Sequence, residues 1–215
     1  MSEAELSPFA RQTLTGVAGF EPAWLLSGRA ALRRFPGVPS PITRLDLVWR
    51  ARELLGPLPQ EIRQALLETG LPATILEMGT RVAWLTVGYG EDDCLLKLTA
   101  EPTPPLEPPW RATLAGIPFE VETPRDVLAA TLCSLEGQPD PWECENLLVL
   151  FQKRIDLERG LMVDAPRRHP EFCTLRLIGN VAALLRFEEV IERREAMEEL
   201  LRYILKEIDC LRPIN

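Results

Sequence analysis

The apolar positions of this chain follow two patterns. Through about residue 121 they come in short bursts bounded by glycine and proline; beyond that they recur at helical spacing. Residues 3–17 predict a short helix, closed by Gly19 and Pro22. Residues 23–26 read as a buried strand, and residues 29–34 as a helix ended by Phe35-Pro36-Gly37. Pro39 and Pro41 hold the preceding backbone extended and lead into a strand over 43–49. Residues 50–70 hold one or two helices broken at Gly56-Pro57 and Pro59. Over 60–69, Ile62, Ala65 and Leu66 share one face, and Gly70 suits the C-terminal cap.

Three strands are expected next, over 73–78, 81–89 and 93–99, with turns at Gly79-Thr80 and 88–93. Val82, Trp84 and Val87 mark a half-buried strand with a phase change near Leu85, and Leu96 and Leu98 face one side of the third. Residues 101–109 are proline-rich and read as an extended spacer, the alternative being a ligand for an SH3-type domain. Two short strands surround Gly116 over 112–120. Thr123-Pro124-Arg125-Asp126 then starts a helix to about residue 135, with Thr123 as cap, Pro124 at the first position and an acid three residues past the cap. Pro141 opens another helix, to about residue 156. From 170 to 210 the positions Val181, Leu184, Leu185, Met197, Leu201, Ile204 and Ile208 give at least two amphipathic helices, or one long one. Pairs such as Glu189–Arg193 and Glu198–Arg202 sit on their exposed face. These helices either fold back on the domain or form a self-association or partner surface.

Composition narrows the classes. A chain of 215 residues forms one large domain or one domain with a helical annex. Its net charge of -8 argues against general nucleic-acid binding, which needs a basic surface. The local basic run Arg167-Arg168-His169 reads as a solvated loop, and Glu91-Asp92-Asp93 as a solvated acidic turn or, less simply, a source of metal ligands. Five widely spaced cysteines without a C-x-x-C pair fit reduced thiols and a cytoplasmic setting. The start Met-Ser-Glu-Ala-Glu has no signal-peptide character, and no apolar run approaches the roughly 20 residues that span a bilayer. With His169 the single histidine, a His-based zinc site or a Ser-His-Asp centre would depend on that one residue. The five tryptophans, Trp24, Trp49, Trp84, Trp110 and Trp142, read as core packing and interface rim.

One run carries more chemistry than the rest. Trp24-Leu25-Leu26-Ser27-Gly28-Arg29-Ala30-Ala31-Leu32 is a strand, a small-residue turn and a helix start, and Arg44-Leu45-Asp46-Leu47-Val48-Trp49 is a strand bearing one carboxylate. In this order of elements the chain resembles the AbiEii-type branch of the DNA polymerase β-type nucleotidyltransferase superfamily, best known as toxins of bacterial toxin–antitoxin and phage-defence pairs. Ser27-Gly28-Arg29-Ala30-Ala31 stands at the family's Gly-Gly-Thr-Ala-Leu turn. Asp46 stands at the second acid of its Ser-x-Asp-Leu-Asp-Leu strand, and Arg44 replaces the first. The third acid falls on Lys97 of Cys94-Leu95-Leu96-Lys97-Leu98; a family lysine falls on Thr131, and the family's final arginine is lost near Asp140 and Glu143. Gly116-Ile117-Pro118-Phe119-Glu120-Val121 matches its Gly-Ile-x-Val turn. The likeness covers roughly residues 20–150.

The resemblance implies an α/β (α+β) nucleotidyltransferase-like mixed sheet with flanking helices, over residues 1–156, and a helical C-terminal extension over 157–215. It also implies that the two-metal chemistry is gone, because such a site clamps Mg²⁺ between several carboxylates. Asp46 is then vestigial, with no catalytic residue, no metal site and no cofactor; Mg²⁺ would be needed only if the family activity survives. Free N–H groups at the Ser27-Gly28 turn attract anions, so Ser27, Gly28, Arg29, Arg44 and Lys97 form a candidate cationic nucleotide or phosphate site. The expected role is non-catalytic binding of a protein partner, a second copy through the C-terminal helices, or a nucleotide, with no membrane. The rivals are an active nucleotidyltransferase of a toxin–antitoxin or phage-defence system and a structural subunit of a larger assembly.

Overall fold

A computed structural model describes residues 5–20, 24–35, 38, 40–50, 53–90, 93–114, 116–134, 146, 148, 150, 160–168, 175, 176, 178, 179, 182 and 194–211. The chain divides into two compact units, residues 1–123 and 124–215.

The first unit is built on a seven-stranded mixed sheet. Its strands are β1 (Leu25–Ser27), β2 (Arg44–Arg50), β3 (Ala73–Met78), β4 (Val82–Val87), β5 (Cys94–Glu101), β6 (Trp110–Leu114) and β7 (Ile117–Val121), in the order β3-β4-β5-β2-β1-β7-β6. β2 runs parallel to β5 and β1 parallel to β7; the other pairs are antiparallel. Three helices accompany it: α1 (Pro8–Val17), the single turn α2 (Gly28–Ala31) and α3 (Leu58–Glu68). The expected α+β architecture, a mixed sheet with flanking helices, is therefore present. β1 and β2 are neighbours, as the strand–turn–strand reading requires.

Alternation along each strand separates the two faces of this sheet. One face is apolar and buried: Leu26, Leu45, Leu47 and Trp49, then Leu96 and Leu98, then Ala83, Leu85 and Val87. α1 packs on β2, β4 and β5, α3 on β3 and β4, and the two helices on each other. Gly16 permits their crossing, since a Cβ there would lie 2.8 Å from Leu66 Cδ2. Trp24 and Trp49 pack together with ring centroids 5.7 Å apart. Cys94 sits in this layer, and burial pushes its thiol up to about 12, away from the thiolate form. The other face carries the charged residues of the site.

Two expectations are corrected here. The helix expected from residue 3 begins at Pro8, where the Ser7 side chain accepts a bond from Ala10 N at 3.1 Å. The preceding residues pair instead with the chain before β2, as Ser7 N→Ile42 O (2.9 Å) and Ile42 N→Glu5 O (2.8 Å). β4 shows no phase change: Ala83, Leu85 and Val87 are buried, and Val82, Trp84 and Thr86 are half-buried on the opposite face. Val82 and Trp84 are apolar on that second face, which masks the period.

The second unit contains α4 (Pro124–Ser134), α5 (Leu161–Arg168) and α6 (Arg194–Leu211) among the described residues. α4 and α5 meet through two crossed ion pairs. Arg125 Nε and Nη2 donate to Asp164 Oδ2 and Oδ1 at 2.5 and 2.7 Å, and Arg168 Nη1 donates to Asp126 Oδ1 at 3.0 Å and to Asp126 O at 2.5 Å. Arg168 is 1 % exposed, not part of a solvated loop; a burial this deep needs the pairing that Asp126 supplies. His169 and most of the helix expected over 141–156 lie outside the described residues. No helix among the described residues is long and apolar enough to cross a membrane.

Candidate functional site

Strand register brings the site together. Ser27 on β1 faces Asp46 on β2; Asp46 faces Lys97 on β5; Lys97 faces Trp84 on β4. The four side chains form a row across four neighbouring strands, although they are scattered along the sequence. Arg44 lies two residues before Asp46 and so shares its face.

The pairing inside this row is tight. Arg44 donates Nε and Nη2 to one oxygen, Asp46 Oδ1, at 2.9 and 2.8 Å. Both residues are buried, at 3 % and 8 % exposure. The Arg44 Cζ also lies 4.8 Å from the Trp84 ring centroid, and Lys97 Nζ 5.2 Å from it. Both cations are within the range where the ring quadrupole attracts them. Trp84 thus belongs to the polar face rather than to the core.

The Ser27-Gly28 turn is closed from two sides. Ser27 Oγ donates to Glu122 Oε2, and Glu122 Oε1 accepts from Arg50 Nη2. Arg50 Nη1 reaches the proline-rich segment, donating to Thr103 O at 2.8 Å. On the other side, Gly28 has φ +59 and stands so close to Asp46 that an added Cβ would be 2.3 Å from Oδ2. α2 is a single turn and Ser27 makes no side-chain cap bond. Arg29 is buried in that turn.

Gly28→Ala is expected to destabilise the protein by about 1–3 kcal/mol for the left-handed backbone alone, with the collision against Asp46 adding to it. A urea unfolding midpoint indistinguishable from that of the parent protein would contradict this packing.

The candidate residues Ser27, Gly28, Arg44, Asp46 and Lys97 therefore do come together. Thr131, which the resemblance set against a lysine, is buried in α4, where its hydroxyl donates to Val127 O at 2.7 Å. Among the described residues no group of three histidine, cysteine, aspartate or glutamate side chains is placed to hold a metal ion. Glu122 and Arg50 belong to the site and were not singled out from the sequence, and Trp84, read there as core packing or interface rim, belongs to it as well. A signal existed for Glu122, an acid at the exit of β7 immediately before the Thr123-Pro124 helix start, but its partner Ser27 is 95 residues away.

No protein-family model matches this chain, and no curated protein sequence does. Solved structures do. A "putative nucleotidyltransferase" from H. pylori superposes with a TM-score of 0.50 at 15% identity, covering 95% of this chain and 94% of that one. The Helicobacter pylori protein JHP933 gives 0.48 at 15% identity, over 94% and 89% of the two chains. An antigenic nucleotidyltransferase-like protein from Paracoccidioides brasiliensis gives 0.44 at 13% identity, over 91% and 95%. The likeness to the first of these shows a nucleotidyltransferase-like fold.

Proposed function

We propose that this chain is a degenerate nucleotidyltransferase-fold protein, close in pattern to the AbiEii type, that transfers no nucleotide and acts by binding a protein partner. The observation that carries the reading is Arg44 donating two hydrogen bonds to one oxygen of Asp46. In a two-metal site that carboxylate coordinates the ions that activate the nucleophile and stabilise the leaving group. Here its charge is matched by a guanidinium, and the strand neighbour Lys97 brings a second cation where a ligand acid would stand.

The same geometry favours a protein partner over a nucleotide. A phosphate docking at the Ser27-Gly28 turn would meet two carboxylates already in place, Glu122 on the Ser27 hydroxyl and Asp46 against Gly28. Each is already paired with a guanidinium, Asp46 with Arg44 and Glu122 with Arg50, and they fill the space and engage the Ser27 hydroxyl that a phosphate would use. A partner surface on α6 is supported by Leu205, which is 40% exposed next to the buried Ile204.

The test is incubation of the purified protein with each labelled nucleoside triphosphate, Mg²⁺ or Mn²⁺, and RNA or cell lysate. No label transfer is expected. Metal-dependent labelling that disappears in Asp46→Ala would establish the enzyme instead. Calorimetric titration with nucleoside triphosphates in chelator separates the binding readings. Absence of heat at millimolar ligand leaves the protein partner, and saturable heat that weakens with salt would replace it with a nucleotide sensor.

A further inference from the structure

The sheet ends in two edge strands, β3 and β6. An open edge templates the addition of another strand, and proteins blunt such edges with bulges and covering side chains. β3 carries both devices. A bulge between Ile75 and Glu77 breaks its register on β4. Gly88 N donates to Pro72 O, which turns residue 72 toward β4 and, by alternation, the Ala73 carbonyl outward. Arg63 Nε already donates to that carbonyl at 3.1 Å. β6 is different. Its pairing with β7 runs unbroken from Trp110↔Val121 to Leu114↔Ile117, and no strand among the described residues pairs with its outer side. Trp110 is 48% exposed, and Arg111 and Thr113 are exposed as well.

Main-chain direction fixes what this edge offers. Glu122 N donates to Leu26 O, so residues 120 and 122 turn toward β1 and residues 117, 119 and 121 toward β6. Their partners 110, 112 and 114 therefore turn inward to β7, and Arg111 and Thr113 present their N–H and C=O groups outward. A second β6 laid antiparallel about a dyad at Ala112 sets Arg111 opposite Thr113 of the second copy, and Thr113 opposite its Arg111. Both pairs are then of the hydrogen-bonded kind, so every outward group of the two residues finds a partner. A dyad at residue 111 would instead set two arginines against each other, a destabilising arrangement. Alanine suits the dyad, a non-hydrogen-bonded position where Cα atoms approach to about 4.5 Å. Trp110 shares the face of Ala112 and would exchange water for the edge of the second copy. From this register we infer that two copies of the chain associate through β6 into one continuous sheet of twice seven strands, with both Ser27–Asp46 rows on the same face. The inference concerns a self-association surface on the sheet rather than on α6, and it holds whatever the row binds.

The experiment is sedimentation equilibrium of the full chain over a concentration series, in which a monomer–dimer equilibrium is expected. Thr113→Pro deletes an outward N–H and no bond to β7, and Trp110→Lys puts a charge on each edge. Both variants are expected to keep the circular dichroism of the parent and to raise the dimer dissociation constant at least about 10-fold, as for residues central to an interface. Ala112→Cys sets two thiols face to face at the dyad, within the reach of a disulfide. Mild oxidation is expected to give a covalent dimer there, and in Thr113→Cys no more than the parent's own cysteines give. The inference is overturned if the chain stays monomeric up to about 500 µM, above which association is too weak to hold an assembly. It is equally overturned if a dimer forms that neither substitution weakens, which would place the contact elsewhere, as at the exposed Leu76 or Leu205. Cross-linking of Ala112→Cys no greater than that of Thr113→Cys would overturn it too.

Discussion

Arg168→Met is expected to destabilise the second unit by about 3–5 kcal/mol, the usual cost of leaving one member of a buried ion pair without its partner. Asp126 is 0% exposed and Arg168 1%, so water cannot replace the lost contact. The guanidinium serves two acceptors at once, the Asp126 carboxylate at 3.0 Å and its backbone carbonyl at 2.5 Å. Methionine keeps much of the volume and removes both donors. The double variant Arg168→Met with Asp126→Leu is expected to recover much of the loss, because neither charge of the pair is then buried opposite an apolar replacement. Urea unfolding followed by circular dichroism reads both effects. A single variant within about 1 kcal/mol of the parent would place this pair in the range of solvated surface bridges and contradict its burial.

That pair also shows where the sequence stops being readable. Arg167-Arg168-His169 has the look of a solvated basic run, because nothing local reveals that Asp126, 42 residues earlier, supplies a buried acceptor. Elements whose signals are local came through well. The strand over 73–78 has the expected bounds, and the hairpin around Gly116 and the helix start at Pro124 stand where turn and cap residues put them. Each is set by neighbours within a few positions. The Ser27-Gly28 turn and the Arg44–Asp46 pairing were legible for the same reason, since alternation alone puts residues 44 and 46 on one face. What failed was long-range. Parallel pairing of β1 with β7 brings Glu122 to Ser27, and the register of β4 on β5 turns Trp84 toward Lys97. Ala83 conceals that register, because its small side chain gives a weak apolar signal beside Trp84.

The second large effect is expected at the site itself. Arg44→Met leaves Asp46 buried and deprived of two hydrogen bonds to one oxygen, so a loss of about 3–5 kcal/mol in stability is expected there also. It differs from the Arg168 case in what else changes. Arg44 and Lys97 both lie over the Trp84 ring, and loss of the Arg44 contact costs about a further 0.5–1 kcal/mol. Asp46→Asn keeps the shape and an acceptor while deleting the charge that faces the buried Arg44 guanidinium. Both single changes should therefore destabilise, and Arg44→Met combined with Asp46→Leu should cost much less than their sum. A double-mutant cycle on unfolding midpoints measures that coupling, which is expected at about 2–3 kcal/mol for contacting buried charges. A coupling near zero would mean that Arg44 and Asp46 do not hold each other. Asp46 would then be free for other cations, and the argument for a site closed by its own side chains would fall with it.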